Sequence, residues 1–344
     1  MGRRAWWCGF VICLITALAL PGCAGGRGQP QPVTPVTISS PNLIGIGLVS
    51  IANAMGFFRA QGLRVRLAPF QTGALAVESM LRGRADFAVA SETPEVKEIL
   101  NGHRLAVVTN LVHSDDALAI VARRDHGISS LGDLRGKRLG VAFGTLQDYF
   151  AYLALTTAGV PERDVTRVNL TTGANPAALL SGKVDAVSTA EPQVQQLASM
   201  LGARGITFSE PGLYIASNDL VTTPSYATAH PGLVMDVVRG LAAAQVFTEQ
   251  HPRDAQALLT RILRLKPGLI SRLWPTFDFR IGLDQVLLTN MQQQAAWMIK
   301  TGLVKARAVP NFLADIDPRA LRGVAPASIT MAGLNGRATP AGTP

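Results

Sequence analysis

Residues 138–170 read RLGVAFGTLQDYFAYLALTTAGVPERDVTRVNL. Positions 139–142 form a short apolar run that predicts a strand, and Gly144-Thr145 then opens a stretch of helical spacing over 145–158. Positions 165–170 return to a strand pattern. Strand, helix and strand in that order argue for a parallel α/β unit, because parallel neighbours need a crossover between them.

The same alternation continues in both directions. Toward the C-terminus the pattern predicts a helix over 175–180, a strand over 184–187, a helix over 192–201 and a strand over 206–209. Toward the N-terminus, β-rich runs at 36–39, 64–68, 86–90 and 105–112 are separated by helical stretches. The first of these, 44–60, puts Leu48, Ile51, Ala52 and Met55 on one side and stops at Gly62. The second, 74–81, stops at Gly83. The third opens with Thr93-Pro94-Glu95: a cap residue, a proline at the first helical position and an acid in the first turn. Two αβ series of similar size predict two lobes rather than one long sheet. The final third is mostly helical: 231–250 carries Leu233, Val237, Leu241, Ala244 and Phe247 on an apolar face, 253–265 follows, and 283–302 carries Val286, Leu287, Met291, Ala295 and Met298. These helices are expected to close over one lobe. There is no repeat of solenoid period.

The N-terminus gives an address. Arg3-Arg4 precedes an uncharged apolar run over 5–20, and Leu20-Pro21-Gly22-Cys23 follows. A short basic region with a brief apolar core is the layout of a secretory signal. The core falls short of the roughly 20 residues a spanning helix needs. The ending resembles a bacterial lipobox, which implies cleavage before Cys23 and a lipid on it. A single anchor helix over 6–22 is the alternative, and both readings put the rest of the chain outside the cytoplasm. The three cysteines are Cys8, Cys13 and Cys23, so the mature domain would hold no disulfide, thiol nucleophile or thiolate metal site. Residues 24–35, AGGRGQPQPVTP, read as a tether, and the chain from about 330 as a small, polar, disordered end. The formal charge of +9 becomes +7 without Arg3 and Arg4. With basic residues scattered, few aromatics and an extracytoplasmic address, this reads as a solvated surface and not as a nucleic-acid binder.

Several phrases, in order, resemble one family. They are Gly56-Phe57-Phe58-Arg59-Ala60-Gln61-Gly62-Leu63, then Gly83-Arg84-Ala85-Asp86-Phe87-Ala88, and then Ser130-Leu131-Gly132-Asp133-Leu134-Arg135-Gly136-Lys137-Arg138-Leu139-Gly140-Val141. Leu180-Ser181-Gly182-Lys183-Val184-Asp185-Ala186 and Glu191-Pro192 complete the set. Together they are similar to segments of periplasmic binding proteins for sulfonates, nitrate, taurine and thiamine pyrimidines, over roughly 36–318. The resemblance implies an α/β, bilobal periplasmic-binding-protein fold of type II, with two α/β lobes joined by a hinge and the helical third packed on lobe 1. It implies a signal peptide at 1–22, a tether at 23–35, lobe 1 from 36–118 and 216–325, lobe 2 from 119–215 and a disordered tail at 326–344. The hinge is expected near 116–122 and 213–219. The function implied is the lipid-anchored, extracytoplasmic solute-binding component of an ABC importer, monomeric, without a cofactor, handing a small solute to a permease with a cytoplasmic ATPase.

In open α/β sheets, ligands sit outside the carboxyl ends of strands, where helix N-termini suit anions. That rule selects Ser40 and Asn42 after the first strand, Thr72 and Gly73 after the second, and Ser91 and Glu92 after the third. In the other lobe it selects Thr145 and Gln147, then Asn175 after Thr172-Gly173-Ala174; the resemblance adds Glu191. Each place also reads as an ordinary cap or turn, where these residue types are usual. Two departures leave the ligand class open: Ala190 stands where the family signature has tryptophan, and Glu92 stands where an anion would prefer a neutral donor. Asp115-Asp116 reads as cleft wall or as solvated loop, and Trp274 and Trp297 as core. The five histidines have no metal-ligand spacing, and neither a G-x-S-x-G elbow nor a phosphate-binding G-x-x-x-x-G-K-[ST] loop occurs. An enzyme is therefore not expected. A solute-sensing or partner-binding lipoprotein without a transport role is the alternative.

Overall fold

A computed structural model describes residues 33–334. The expected signal peptide, Cys23, nearly all of the tether and the last ten residues lie outside the described residues. Ten strands form two five-stranded sheets. The first sheet holds β1 (Thr34–Pro41), β2 (Leu63–Phe70), β3 (Phe87–Ala90), β4 (Ala106–Ser114) and β10 (Ala216–Thr222), in the order β2-β1-β3-β10-β4. The second holds β5 (Leu118–Arg123), β6 (Arg138–Val141), β7 (Thr166–Asn169), β8 (Ala186–Ala190) and β9 (Gly205–Phe208), in the order β7-β6-β8-β5-β9. Each is mixed. β10 runs antiparallel between β3 and β4, and β5 antiparallel between β8 and β9.

β5 and β10 correct the sequence reading, which gave 116–122 and 213–219 to the hinge. Leu118–Arg123 is buried throughout, with Leu118, Ile120 and Ala122 on one face and Ala119 and Val121 on the other. A strand covered on both faces reads as an unbroken apolar run, not as an alternation. The true crossings between sheets are only residues 115–117 and 209–215.

Helices α1 (Gly47–Ala54), α2 (Phe57–Ala60), α3 (Gly73–Leu81) and α4 (Glu92–Leu100) belong to the first lobe. Residues 44–60 are not one helix: a short 3₁₀ turn precedes α1, and Gly56 separates α1 from α2 at φ 78°, a conformation open to glycine at little cost. α4 begins one residue before Thr93, so Ser91 is its N-cap and Thr93 is buried inside the helix. Helices α5 (Leu146–Thr157), α6 (Asn175–Leu180) and α7 (Gln193–Leu201) cover the second sheet. α6 and α7 close a small core of Ala119, Val121, Leu179, Val187 and Leu197, while Tyr149, Phe150 and Ala154 of α5 extend the large core across the other face.

The C-terminal third adds α8 (Pro224–Ala229), α9 (Pro231–Gln250), α10 (Pro252–Ile262), α11 (Leu269–Leu273), α12 (Gln285–Lys300) and α13 (Arg319–Val324). α9 packs on α1, α2 and α13, and α12 packs on α4, so this third is part of lobe 1. Residues 326–334, expected to begin a disordered tail, are ordered here. Thr330 and Met331 donate backbone N–H bonds to Leu283 O, and Met331 is fully buried. Small polar composition did not reveal that two apolar side chains, Ile329 and Met331, are enough to dock the segment.

Candidate functional site

Register fixes where the two lobes meet. β1, β2 and β3 are parallel, so their carboxyl ends, at Pro41, Phe70 and Ala90, share one edge. β10 enters that edge at Ala216, opposite Ser114 at the end of β4. In the second sheet β6, β7 and β8 end together at Val141, Asn169 and Ala190, and Leu118 pairs with Ala190. Three residues, 115–117, therefore join one carboxyl edge to the other, and 209–215 make the return. The two edges are brought face to face, with a hinge at one side.

Every sequence-selected residue lies at one of these edges. In lobe 1, Ser40 is buried at the end of β1, and Asn42 is exposed just beyond it. Thr72 caps α3, its hydroxyl accepting the Leu75 N–H at 3.3 Å. Gly73 follows at the start of α3, where a Cβ would stand 3.1 Å from Ala90 Cα, so its missing side chain makes room for β3. Ser91 caps α4 without a side-chain bond. In lobe 2, Thr145 caps α5 and spends its hydroxyl on Ala142 O at 2.6 Å. Gln147 is held through its carbonyl, which accepts Ser188 Oγ at 2.7 Å.

Glu92 sits at the edge by sequence, but its side chain turns into lobe 1 and is fully buried. Its carboxylate accepts Ser217 N–H at 3.1 Å and Asn290 Nδ2 at 2.9 Å. Burial raises its pKa, and the Asn290 and backbone bonds partly offset the rise. Glu95 and Asp219 lie in the same buried group; desolvation, then repulsion from neighbouring acids, holds both well above the usual carboxylate range. Asp219 accepts from Asn110 Nδ2 and from Ser217 Oγ, whereas neither Glu95 oxygen has a donor. A carboxylic acid in such surroundings stays neutral to a higher pH because charge without water is costly.

A network at the lobe 2 edge has a fixed sense. Gln193 Nε2 donates to Thr172 O at 2.9 Å, so Gln193 Oε1 must be the acceptor for Thr189 Oγ1 at 2.6 Å and Asn175 Nδ2 at 3.3 Å. Asn175 is thereby oriented, and its Oδ1, buried, is left without a donor. Glu191, half-buried, accepts Gln195 N–H at 3.3 Å, and burial pushes its carboxyl up. Asp148, in the first turn of α5, accepts Gly144 N–H at 2.8 Å and pairs with Arg167, whose guanidinium lies 4.6 Å over the Phe143 ring.

The hinge side was not legible as a site. Asn290 also donates to Ile215 O at 2.8 Å, and Gln294 Nε2 donates to Tyr214 Oη at 2.8 Å, pinning the 209–215 crossing onto α12. Across the lobes, Tyr149 of α5 meets Tyr214 edge-on at 5.4 Å and Trp297 of α12 at 5.2 Å. The one available signal was Asn290 and Gln294, polar and four residues apart beside Met291 and Ala295 on an otherwise apolar face. Among the described residues no group of His, Cys, Asp and Glu side chains has metal-holding geometry. A cavity of about 340 Å³ bounded by Met55, Phe247, Asp254 and Arg261 lies on α1, α9 and α10, away from both carboxyl edges.

The model of the NMT1/THI5-like family matches residues 44–255, which run from the first carboxyl edge through lobe 2 into α10. The chain belongs to the NMT1/THI5-like family. Relatives within reach of sequence are distant. A Haemophilus influenzae protein assigned by name to thiamine biosynthesis is 26% identical over 277 residues, covering 78% of this chain and 87% of that one. A Bacillus subtilis protein named for aliphatic-sulfonate binding is 24% identical over 269 residues, covering 76% and 80%. In structure the chain resembles the alkanesulfonate-binding protein SsuA of Xanthomonas axonopodis pv. citri bound to MOPS, with a TM-score of 0.71 at 20% identity over 83% of this chain and 98% of the other. That likeness establishes the bilobal periplasmic-binding-protein fold for this NMT1/THI5-like chain.

Proposed function

We propose that this chain is an extracytoplasmic solute-binding protein of an ABC importer, which captures a small organic solute between its lobes and delivers it to a permease. The observation that carries the reading is the pair of carboxyl edges set face to face by the crossings at 115–117 and 209–215. Contacts from both edges reach one solute only when the lobes are closed, so solute shifts the open–closed population toward the closed form. A relative named for binding supports binding over catalysis. Asn42, Thr72, Ser91, Thr145, Gln147, Asn175 and Glu191 are the contact residues of this proposal. Ser40, Gly73 and Glu92 support the edges on which those residues stand. The lobe boundaries follow the two sheets, with residues 33–114 and 216–334 in lobe 1 and 118–208 in lobe 2. The proposal includes lipidation of Cys23, cleavage after Gly22 and work as a monomer.

A thermal-shift screen against sulfonates, nitrate, pyrimidines, aromatic acids and amines tests the reading. A solute at about 100 times its dissociation constant stabilises the fold by about 2.7 kcal/mol. Absence of any shift across such a library would defeat the receptor reading. Growth with a labelled fatty acid should tag the chain and leave Cys23→Ser untagged; a wild-type chain without label would defeat the lipid anchor.

A further inference from the structure

The polarity of the cleft points away from the sulfonates that the SsuA fold takes. A helix N-terminus attracts anions because its first N–H groups lack partners and its dipole is positive there. Here acids of the chain stand at three such termini, and at α7 one of them, Glu191, takes a first-turn N–H. Glu92, at the start of α4, turns into lobe 1 onto Ser217 N–H and Asn290 Nδ2. Asp148 holds Gly144 N–H before α5, and Glu191 holds Gln195 N–H in α7. Asp148 is balanced by Arg167, but the segments around Asn175 and Glu191, 170–175 and 190–193, contain no lysine or arginine.

An independent observation comes from Asn175. The Thr172–Gln193–Thr189 network fixes its orientation and leaves Oδ1 as a buried acceptor without a donor. A buried acceptor left unsatisfied is costly, and an arriving N–H removes that cost where an oxyanion cannot. The edges also carry exposed apolar side chains: Leu43 and Leu75 in lobe 1 and Phe143 in lobe 2. Resting on the receptor reading above, we infer that the cleft selects a neutral or cationic solute with a donating nitrogen and an apolar face. The nitrogen meets Asn175 Oδ1 and the Glu191 carboxylate, the apolar face lies against Leu43, Leu75 and Phe143, and sulfonates and other oxyanions are rejected.

Calorimetry on the full chain in detergent, with size-matched pairs, tests this: butylamine against butanesulfonate, benzylamine against benzenesulfonate, and 2-aminopyrimidine as the neutral member. The expected result is tighter binding of the nitrogen member by at least tenfold in a pair that binds. Glu191→Gln keeps an acceptor for Gln195 N–H, so the fold is retained while amine affinity falls by about tenfold and that of 2-aminopyrimidine falls less. Equal or tighter binding of the sulfonate members overturns the inference and leaves the receptor reading standing. Binding of amines unaffected by both Glu191→Gln and Asn175→Ala overturns the assigned contacts. Silence from every probe overturns the receptor reading itself.

Discussion

Glu95 sits in the first turn of α4, fully buried, with both carboxyl oxygens unbonded. Burial, together with Asp219 and Glu92 nearby, places its folded pKa well above its unfolded value near 4.5. A carboxyl shifted that way contributes stability that is complete below the unfolded pKa and is lost as pH rises through the folded one. Glu92 and Asp219 act in the same direction. The melting temperature is therefore expected to fall as pH rises above the unfolded value near 4.5. Glu95→Gln removes the ionisation and should flatten that fall, raising stability at the alkaline end of the series. A melt series of both proteins across pH decides it, and parallel curves would refute the assignment. Glu92 was legible as an edge residue, since it directly follows Ala90-Ser91. Its turn inward was not, because Ser217 and Asn290, which receive it, lie 125 and 198 positions away.

At the scale of elements, α5 depends on one acid. Asp148 is held between Gly144 N–H and Arg167 with its side chain fully covered. Asp148→Asn keeps an acceptor for the backbone but leaves Arg167 only Glu162 as a partner. The expected loss is about 2–3 kcal/mol in urea unfolding, below the 3–5 typical of a wholly buried pair because Arg167 retains some solvent. A loss under 0.5 kcal/mol would mean the pair is dispensable. α12 supplies a reporter. Beyond Gly22 the chain has two tryptophans, Trp274 packed on Phe279 inside lobe 1, and Trp297 touching Tyr149 and Tyr152 of lobe 2. Lobe movement should change Trp297 emission when solute binds, and Trp274→Phe should leave that change intact. Emission that stays constant on a solute proven to bind would mean α5 and α12 do not move apart. Helices such as α9 and α6 were legible to the residue, being amphipathic or bracketed by clear strand patterns. β5 was not, since its apolar run fits a strand buried on both faces only once α5 and α7 are in place.

At the scale of the whole molecule, closure has an energetic handle. Lys300 of α12 donates to Tyr152 Oη at 3.2 Å and stands 5.4 Å over that ring, and Trp297 packs on the same ring at 6.3 Å. These contacts join the lobes and are partly exposed. Each is worth about 0.5–1.5 kcal/mol. Apparent affinity scales with the fraction of binding-competent molecules. Tyr152→Ala is therefore expected to weaken solute binding roughly three- to tenfold, chiefly through a faster off-rate, although Tyr152 lies outside the proposed contacts. An unchanged dissociation constant would show that these contacts persist in the open form.

The sequence by itself determined the alternation of strands and helices, the existence of two lobes, the family phrases and the residues at the carboxyl ends of strands. All of these are local: they follow from hydrophobic period, from caps and from turn residues such as Gly62 and Gly83. Only the tertiary structure decided that β5 and β10 cross into the middle of each sheet, because antiparallel insertion depends on partners far away in the chain. It also decided which side chains at the edges stay there. Thr72 is tied to its own cap and Thr145 to Ala142 O, Glu92 is drawn inward by distant donors, and Asn175 is turned by Gln193 to leave one acceptor free. Long-range hydrogen bonds set those orientations, and no local pattern encodes them.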